Sequence, residues 1–275
     1  MRTVLLHYHI LKNAGTTIEN ILDRSFGHKF RTVDTTERDG HVSTRILLRM
    51  LGREPEVRAV SSHQIRHPVP AVPGFLFFDL CIFRDPIDRI RSMYDYFREK
   101  PGAGDPVSDF ANQLPLGDFV ARLIQEMPWY VNDIQVNLLA NGIVNDCPRR
   151  QDLELALARM LQTSFLGVVD CFTESLIAGQ YFLHPIFPEL DVADTADNTT
   201  GGLAGSLDQK VSRVEEACEP EVYAQLLRMN ALDLELLRCA RAEVQRRYRS
   251  IPEEQAAILH QREQAARTLA ELKKD

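Results

Sequence analysis

The sequence predicts an α/β fold of three layers, in which helices flank a mostly parallel central sheet and a long C-terminal helix follows. Two apolar runs, residues 3–8 and 75–83, are typical of buried strands, and each precedes a polar turn and apolar residues at helical spacing. The second run is nearly continuous, as in parallel strands covered on both faces. Strands that alternate with helices place a ligand at the carboxyl ends of the strands.

The first elements follow in order from residue 3. After strand 3–8 we predict a helix, and a further strand is expected at 56–61. Beyond strand 75–83, Asp85 can cap a second helix and Pro86 suits its first position. The residues that recur at helical spacing are Ile18, Ile21, Leu22, Ser25 and Phe26 in the first helix and Ile87, Ile90, Tyr94 and Phe97 in the second.

The second half of the chain is mostly helical in pattern. Residues 100–117 and 191–206 are rich in proline, glycine or polar residues and are predicted to be loops. A long helix is expected from Pro220, with an interruption at Pro252. Further helices are predicted at 116–126, 130–140 and 151–163, then a strand within 164–172 and a helix to about His184. We expect one domain at residues 1–250 and a charged helical tail at 251–275.

The composition excludes several classes of function. A chain of 275 residues with a formal net charge of -7 lacks the basic surface that nucleic-acid or anionic-membrane binding needs. Its five cysteines include no C-x-x-C pair, so we expect neither a disulfide framework nor a zinc site. The N-terminus shows no signal peptide and no stretch of membrane-spanning length. We therefore expect a cytoplasmic protein.

The stretch HILKNAGTT, residues 9–17, lies where the first strand turns into the first helix. A helix N-terminus has unpaired N–H groups and a partial positive charge, and it therefore suits a phosphate. Gly15 would let the backbone approach an anion, and Lys12 would add a full charge. The alternative is an ordinary turn with a glycine and a capping threonine. The lysine precedes the glycine, unlike the order in a nucleoside-triphosphate loop.

The turn after residues 75–83 offers a second anion site. Arg84 stands at the end of the predicted strand, and Ser92 lies on the following helix, off its apolar face. The guanidinium group of Arg84 suits a phosphate because it can donate two parallel hydrogen bonds. Alternatively, Arg84 pairs with Asp85 or Asp88 and Ser92 is merely exposed.

These two stretches together, HILKNAGTT and FRDPIDRIRSMYDYF, resemble the sulfotransferases that use 3′-phosphoadenosine 5′-phosphosulfate (PAPS). The likeness is greatest to carbohydrate sulfotransferases of the heparan-sulfate 2-O and chondroitin type. Weaker similarities are SSHQI at 61–65, FLGVVDCFTESL at 165–176, DNTT at 197–200 and NALDLELLRCA at 230–240. The chain departs from that family at Leu11, where proline is usual, and shows none of the Golgi anchor of the animal enzymes.

The resemblance implies a P-loop-like sulfotransferase domain, PAPS as co-substrate and a mechanism without a metal. Lys12 would stabilise the charge on the leaving bisphosphate, and His63 would take the proton from the acceptor hydroxyl, with His67 and His9 as alternatives for that base. The residues implied to bind the 5′-phosphosulfate are Lys12, Asn13, Ala14, Gly15, Thr16 and Thr17. Those implied to bind the 3′-phosphate are Arg84 and Ser92.

The acceptor is less well defined by the sequence. We expect a hydroxyl-bearing glycan or small molecule, and Trp129 and Tyr130 could stack on a sugar. Basic residues could meet an acidic glycan or simply be solvated; they are Arg24, Lys29, Arg31, Arg58 and Arg66. Two other functions stay open: a nucleotide kinase or NTPase with a degenerate loop, and an inactive nucleotide-binding protein whose tail helix docks a partner. The C-terminal helix could also join two copies of the chain.

Overall fold

The computed structural model describes residues 1–35, 40–99, 106–140, 147–193 and 205–272. The chain divides into two compact units, which we describe separately. The sheet unit comprises Met1–Phe83, Ala158–Asn198 and Cys239–Asp275. The helical unit comprises Arg84–Leu157 and Thr199–Arg238. The predicted tail therefore belongs to the same unit as the sheet.

The described part of the sheet unit contains five parallel strands in the order β2-β3-β1-β4-β5. These strands are β1 (Arg2–Tyr8), β2 (Phe30–Thr32), β3 (Ala59–Ser62), β4 (Phe75–Phe83) and β5 (Phe165–Val168). The predicted α/β class with a parallel sheet is confirmed. β3 begins three residues later than expected, β5 is shorter, and the three-residue β2 was not predicted.

Helices make up most of the remaining described chain. The sheet unit contains α1 (Gly15–Phe26), α2 (Thr44–Arg53), α8 (Phe172–Leu183) and α12 (Glu253–Leu272). The helical unit contains α3 (Pro86–Arg98), α4 (Pro106–Gln113), α5 (Leu116–Glu126), α6 (Ile134–Ala140), α9 (Leu207–Ala217) and α10 (Pro220–Met229). Two further helices, α7 (Arg150–Gln162) and α11 (Ala231–Arg249), contribute residues to both units. None of the helices in the described ranges is long and apolar enough to cross a membrane.

Both faces of the sheet are buried, which explains the nearly continuous apolar run of β4. On one face, α1 and α8 pack against the strands. The buried residues of this cluster include Leu5, Ile18, Leu22, Leu80, Ile82, Phe165 and Leu176. Side chains that alternate with them along the strands are also at most 1% exposed, as at Val4, Leu6, Val60 and Cys81. The three-layer arrangement that the sequence predicts follows from this double burial.

The predicted helix from Pro220 is in fact two helices, because Asp133 interrupts its backbone hydrogen bonding at Asn230. In a continuous helix, Met229 O would accept from Asp233 N. Met229 O instead accepts from Asp133 N at 2.9 Å, and Asp233 N donates to Asp133 Oδ1 at 2.8 Å. Asp133, which is distant in sequence, thus replaces one backbone hydrogen bond of the helix with two hydrogen bonds to itself.

The predicted loop at 100–117 is wrong in part. Residues 106–113 form α4, whose Val107, Ser108 and Ala111 are buried. Helix α5 then begins at Leu116. Residues 100–105 lie outside the described chain, as do the DNTT stretch and most of the predicted loop at 191–206.

Candidate functional site

The β1–α1 loop, residues 9–14, lies at the carboxyl end of the central strand. Its backbone is left-handed at Lys12 (φ 66°) and at Ala14 (φ 59°), the residue before the first turn of α1. Ala14 makes no side-chain capping hydrogen bond to α1. The side chain at the N-cap position therefore does not occupy the N–H groups of the first turn. An anion can bind at a helix N-terminus only where such N–H groups are available.

The predicted phosphate-binding residues of this loop differ in exposure. Asn13 is buried, and its Nδ2 donates to Ile82 O at 2.9 Å, which ties the loop to β4. Thr17 is also buried, whereas Thr16 is exposed. Lys12 is partly exposed at the turn. The structure thus places these residues together in one loop and the first turn of α1, at the carboxyl ends of the strands.

Gly15 has a packing role that the sequence analysis did not recognise. A Cβ atom placed on Gly15 would lie 1.8 Å from His9 Nε2 and 2.0 Å from His9 Cδ2. The imidazole ring of His9 therefore occupies the space that any larger residue at position 15 would need. His9 and the start of α1 are locked together by this contact.

His63 follows β3, directly beside the end of β1. Its Nδ1 lies 2.9 Å from His9 O, and its ring packs on the ring of His9 with centroids 3.7 Å apart. A carbonyl oxygen can only accept, so Nδ1 carries the proton and Nε2 carries the lone pair. Asp34 Oδ1 accepts from the backbone N of His63 at 3.2 Å. His63 is exposed at the surface, and its geometry suits a proton acceptor.

A chain of hydrogen bonds extends inward from His9. His9 Nδ1 donates to Glu19 Oε1 at 2.9 Å, and Ser61 Oγ donates to the same oxygen at 2.8 Å. His7 Nδ1 lies 2.9 Å from Ser61 Oγ and donates to it, because the hydroxyl proton of Ser61 is already used. The sequence analysis missed Glu19, although its place one turn into α1 is where a side chain can reach back to the strand end.

The electrostatics of this chain favour an ionised Glu19 and a neutral His63. Burial would raise the pKa of Glu19, but the hydrogen bonds from His9 and Ser61 outweigh burial and lower it to about 2. His63 is exposed, but the groups it packs against remove part of its hydration; this partial desolvation lowers its pKa from the ordinary value, and nearby His9 lowers it further. His63 is therefore in the basic form at neutral pH.

The two alternative bases are less accessible. The side chain of His9 is only 9% exposed and bonds to Glu19. His67 is 7% exposed and stacks on Tyr8 with ring centroids 3.9 Å apart. Burial lowers the pKa of His67 to about 4, chiefly because the charged form is desolvated. Of the three candidates, the geometry favours His63.

His7, His9 and Glu19 could also hold a metal ion, since their ligand atoms lie within 4.8 Å of one another. Two histidines and a carboxylate form a common ligand set for divalent transition metals. The signal in the sequence is H-x-H at a strand end, where alternate residues share one face. In the structure, His9 Nδ1 bonds to Glu19 Oε1 and His7 Nδ1 bonds to Ser61 Oγ.

In the helical unit, Arg84 is held firmly at the start of α3. Arg84 Nε donates to Asp88 Oδ2 at 2.7 Å, as the alternative reading of the sequence allowed. The amide of Gln135 bonds to both backbone groups of Arg84: Oε1 accepts from Arg84 N at 3.0 Å, and Nε2 donates to Arg84 O at 2.9 Å. Ser92 is buried rather than exposed. Asp85 caps α3 as predicted.

Charged residues that the sequence analysis overlooked lie inside the helical unit. Arg89 is fully buried, and burial lowers its pKa to about 10. Asp233 accepts hydrogen bonds from Gln135 N and Val136 N. These bonds fix Gln135, whose side chain in turn bonds to the backbone of Arg84. Burial, with a contribution from Asp233, raises the pKa of Asp133 to about 7. Sequence pattern alone did not reveal Arg89, because it lies among other charged residues, such as Asp88 and Arg91, and nothing in the pattern marks it as buried.

Four of the five basic residues considered for an acidic acceptor are engaged within the sheet unit. Arg24 donates to Asp191 O and Arg66 donates to His63 O. Arg31 pairs with Glu54 at 2.5 Å, and Arg58 pairs with Glu189 at 3.2 Å. In the helical unit, Trp129 and Tyr130 lie in a short 3₁₀ turn and are partly buried. The acceptor-binding surface is thus less defined than the loop.

Comparison with known proteins gives little further guidance. No family model matches the chain. The chain is 24% identical over 240 residues to an uncharacterized protein of Archaeoglobus fulgidus, and this similarity covers 86% of the chain and 94% of that protein. The similarity therefore extends over most of both proteins, but it assigns no activity.

Proposed function

We propose that this protein transfers a sulfuryl group from PAPS to a hydroxyl group of a carbohydrate or small molecule and releases adenosine 3′,5′-bisphosphate. The observation that carries the proposal is His63: its Nε2 bears the lone pair, and its ring packs on the first residue of the β1–α1 loop. A neutral base beside a helix N-terminus suits the transfer of an anionic group to a hydroxyl.

The β1–α1 loop would bind the 5′-phosphosulfate. The first backbone N–H groups of α1 would hold its oxygens, and Lys12 would stabilise the charge that develops on the bridging oxygen as the bisphosphate leaves. The transferred group carries less charge than a γ-phosphate, so these groups can act without a metal. Positioning and charge stabilisation would supply most of the catalysis, as in phosphoryl transfer.

His63 would accept the proton of the acceptor hydroxyl at Nε2. The acceptor O–H bond breaks as the new N–H bond forms, while the sulfur–oxygen bond to the bisphosphate breaks and a bond from sulfur to the acceptor oxygen forms. The imidazolium then returns its proton to water. We place this reaction in the cytoplasm, a proposal supported by five cysteines that all have free thiols.

A thermal-shift panel tests the proposal directly. The ligands are adenosine 3′,5′-bisphosphate, ATP with Mg²⁺, NAD and AMP, all at the same concentration. We expect the bisphosphate to raise Tm most, because it alone carries both a 5′- and a 3′-phosphate group; at a hundred times its dissociation constant the stabilisation is about 2.7 kcal/mol. A larger shift with ATP and Mg²⁺ would indicate a kinase or NTPase. Turnover of PAPS with a hydroxyl acceptor then separates an enzyme from an inactive nucleotide-binding protein.

Replacing Arg84 by alanine is expected to weaken binding of the 3′,5′-bisphosphate far more than binding of AMP, because only the bisphosphate has a 3′-phosphate. A charge-assisted hydrogen bond contributes roughly 1.5–3 kcal/mol, which is about ten- to over a hundredfold in Kd. Asp88 keeps its partner Arg91 in this variant, so the fold should persist. Calorimetry with both ligands measures the effect, and Arg98→Ala on the same helix is the control. Equal weakening of both ligands would assign Arg84 to the fold.

A further inference from the structure

Two histidines at the end of β1 and one carboxylate of α1 lie together in the sheet unit. The rings of His7 and His9 are stacked, with centroids 5.2 Å apart and planes 19° from parallel. Glu19 lies one turn into α1, and its Oε1 is 2.9 Å from His9 Nδ1. Within the part of the chain that the structure describes, these three side chains form a group whose ligand atoms all lie within 4.8 Å of one another.

We propose that His7, His9 and Glu19 bind a divalent transition-metal ion, with zinc as the ion that suits them best. Two imidazole nitrogens and one carboxylate oxygen are a usual ligand set for zinc, whereas Mg²⁺ and Ca²⁺ prefer sites made of oxygen atoms. The inference goes beyond the proposed function, whose steps use no metal ion. The ion would join the end of β1 to α1 and thereby fix both ends of the β1–α1 loop.

The ligand atoms need only small movements to reach one ion. Zinc binds nitrogen and oxygen at about 2.0–2.2 Å, so two ligand atoms on a tetrahedral ion lie roughly 3.4 Å apart. His9 Nδ1 and Glu19 Oε1 are closer than this, at 2.9 Å, because a proton lies between them. No two ligand atoms of the group are more than 4.8 Å apart, so side-chain rotations that close a pair by at most about 1.4 Å are sufficient.

The fold presents Nδ1 of His9, rather than Nε2, to this group. Nε2 lies against Gly15, only 1.8 Å from where a Cβ atom on that residue would be. Nδ1 faces Glu19 instead. His9 would therefore bind the ion through Nδ1, and its ring proton would then reside on Nε2, so that the ring stays neutral with a single proton.

Ser61 supplies the outer partner that a metal-binding side chain usually has. Its Oγ donates to Glu19 Oε1 at 2.8 Å and lies 2.9 Å from His7 Nδ1. Partners of this kind orient the ligands, and their removal typically costs about ten- to a hundredfold in metal affinity. The hydroxyl of Ser61 thus prepares the carboxylate of Glu19 for an ion.

The burial of the group leaves an entrance on one side. His7 is 1% exposed, whereas 26% of the Glu19 side chain is exposed. An ion would therefore enter beside Glu19, and a water molecule could complete its coordination there. Three protein ligands and one water molecule are sufficient for a zinc ion.

Calorimetry and visible spectroscopy test this site in the full chain, prepared without a histidine tag and freed of metals by chelation. We expect one Zn²⁺ to bind per chain, and Co²⁺ to give the visible absorption of a four- or five-coordinate ion with nitrogen and oxygen ligands. Zn²⁺ should also raise Tm, by an amount that grows with its free concentration, because the site exists only in the folded chain. A chelator should reverse this rise.

Two variants remove ligands, and each has a matched control. Glu19→Gln keeps the shape of the side chain but removes its charge, and His9→Ala removes a nitrogen ligand. Each should weaken Zn²⁺ binding by more than the ten- to a hundredfold typical of an outer partner, a loss that we expect for Ser61→Ala. The controls are Asp23→Asn, an exposed carboxylate on the same helix, and His28→Ala, an exposed histidine of the sheet unit. Both should bind Zn²⁺ as the wild type does.

A wild-type chain that binds no Zn²⁺ would overturn the inference, as would binding that Glu19→Gln and His9→Ala both leave at full strength. If these variants do not fold, the Co²⁺ spectrum of the wild type decides. A six-coordinate or thiolate-ligated spectrum would place the ion elsewhere and contradict the site. None of these measurements uses PAPS. Zn²⁺ binding without sulfation of any acceptor would therefore refute the proposed function alone, and sulfuryl transfer by a chain that binds no ion would refute the metal site alone.

Discussion

Replacing His63 by alanine is expected to lower kcat for sulfuryl transfer by about 10²–10⁴-fold, since a positioned general base contributes that much. The Kd for adenosine 3′,5′-bisphosphate and the Tm should stay nearly unchanged, because His63 is exposed and its side chain is tied to the described part of the chain through a hydrogen bond to a backbone oxygen, His9 O. In the wild type, kcat/KM should rise with pH through a midpoint below 6.5, because His63 must be neutral to act and its pKa is lowered. Steady-state kinetics across pH measures both effects.

Two variants show whether the loss belongs to proton transfer. His28→Ala removes another exposed histidine of the sheet unit, outside the hydrogen-bonded chain, and should keep full turnover. Lys12→Ala should lower kcat and also loosen the bisphosphate, because Lys12 is assigned to the phosphosulfate. If His63→Ala retains more than about a third of wild-type turnover, in contrast to the loss expected of a general base, then His67 and His9 become the candidates. Loss of folding in His63→Ala would instead identify a structural histidine.

Gly15→Ala is expected to disrupt the β1–α1 loop, because the new methyl group would overlap the His9 ring at 1.8 Å from Nε2. His9 cannot easily move, since Glu19 and His63 hold it. Overpacking of this kind costs about 1–3 kcal/mol, which corresponds to roughly 2–4 °C in Tm for each kcal/mol in a protein of this size. Binding of the bisphosphate should weaken in parallel, because the first turn of α1 must shift. Thermal unfolding and calorimetry measure the two effects.

A glycine-to-alanine substitution elsewhere in the sheet unit provides a control that should raise the stability rather than lower it. Gly52 lies in α2 with nothing within 4 Å of an added Cβ, so Gly52→Ala should stabilise the protein by roughly 0.5–1 kcal/mol. Adding His9→Ala to Gly15→Ala removes the ring that causes the clash. The double variant should then be more stable than the sum of the single changes predicts. Simple additivity would show that Gly15 does not act through His9.

The sequence alone was sufficient for the strand–turn–helix units that build the sheet. β1 and β4 could be predicted because local signals agree: apolar runs, then a polar turn, then a helix start marked by Gly15 or by Asp85 and Pro86. The parallel arrangement followed from alternation of strands and helices. Where a distant residue competes with local preference, the prediction was wrong, as at Asn230, where Asp133 takes the place of a helical hydrogen bond.

The amino-acid sequence by itself determined that residues 9–17 form a turn into a helix N-terminus and that His63 follows a strand near the same edge. Only the tertiary structure decided what these residues do to one another. The register of β1 with β3 sets His7 opposite Ser61 and brings the two strand ends together, so that His63 can pack on His9. Local pattern cannot encode such contacts, because they join residues 42 to 54 positions apart. From the sequence, Gly15 was predicted to let the backbone approach an anion. The fold shows that the lack of a side chain at Gly15 also leaves space for the imidazole ring of His9. Only the packed structure shows which atoms fill that space.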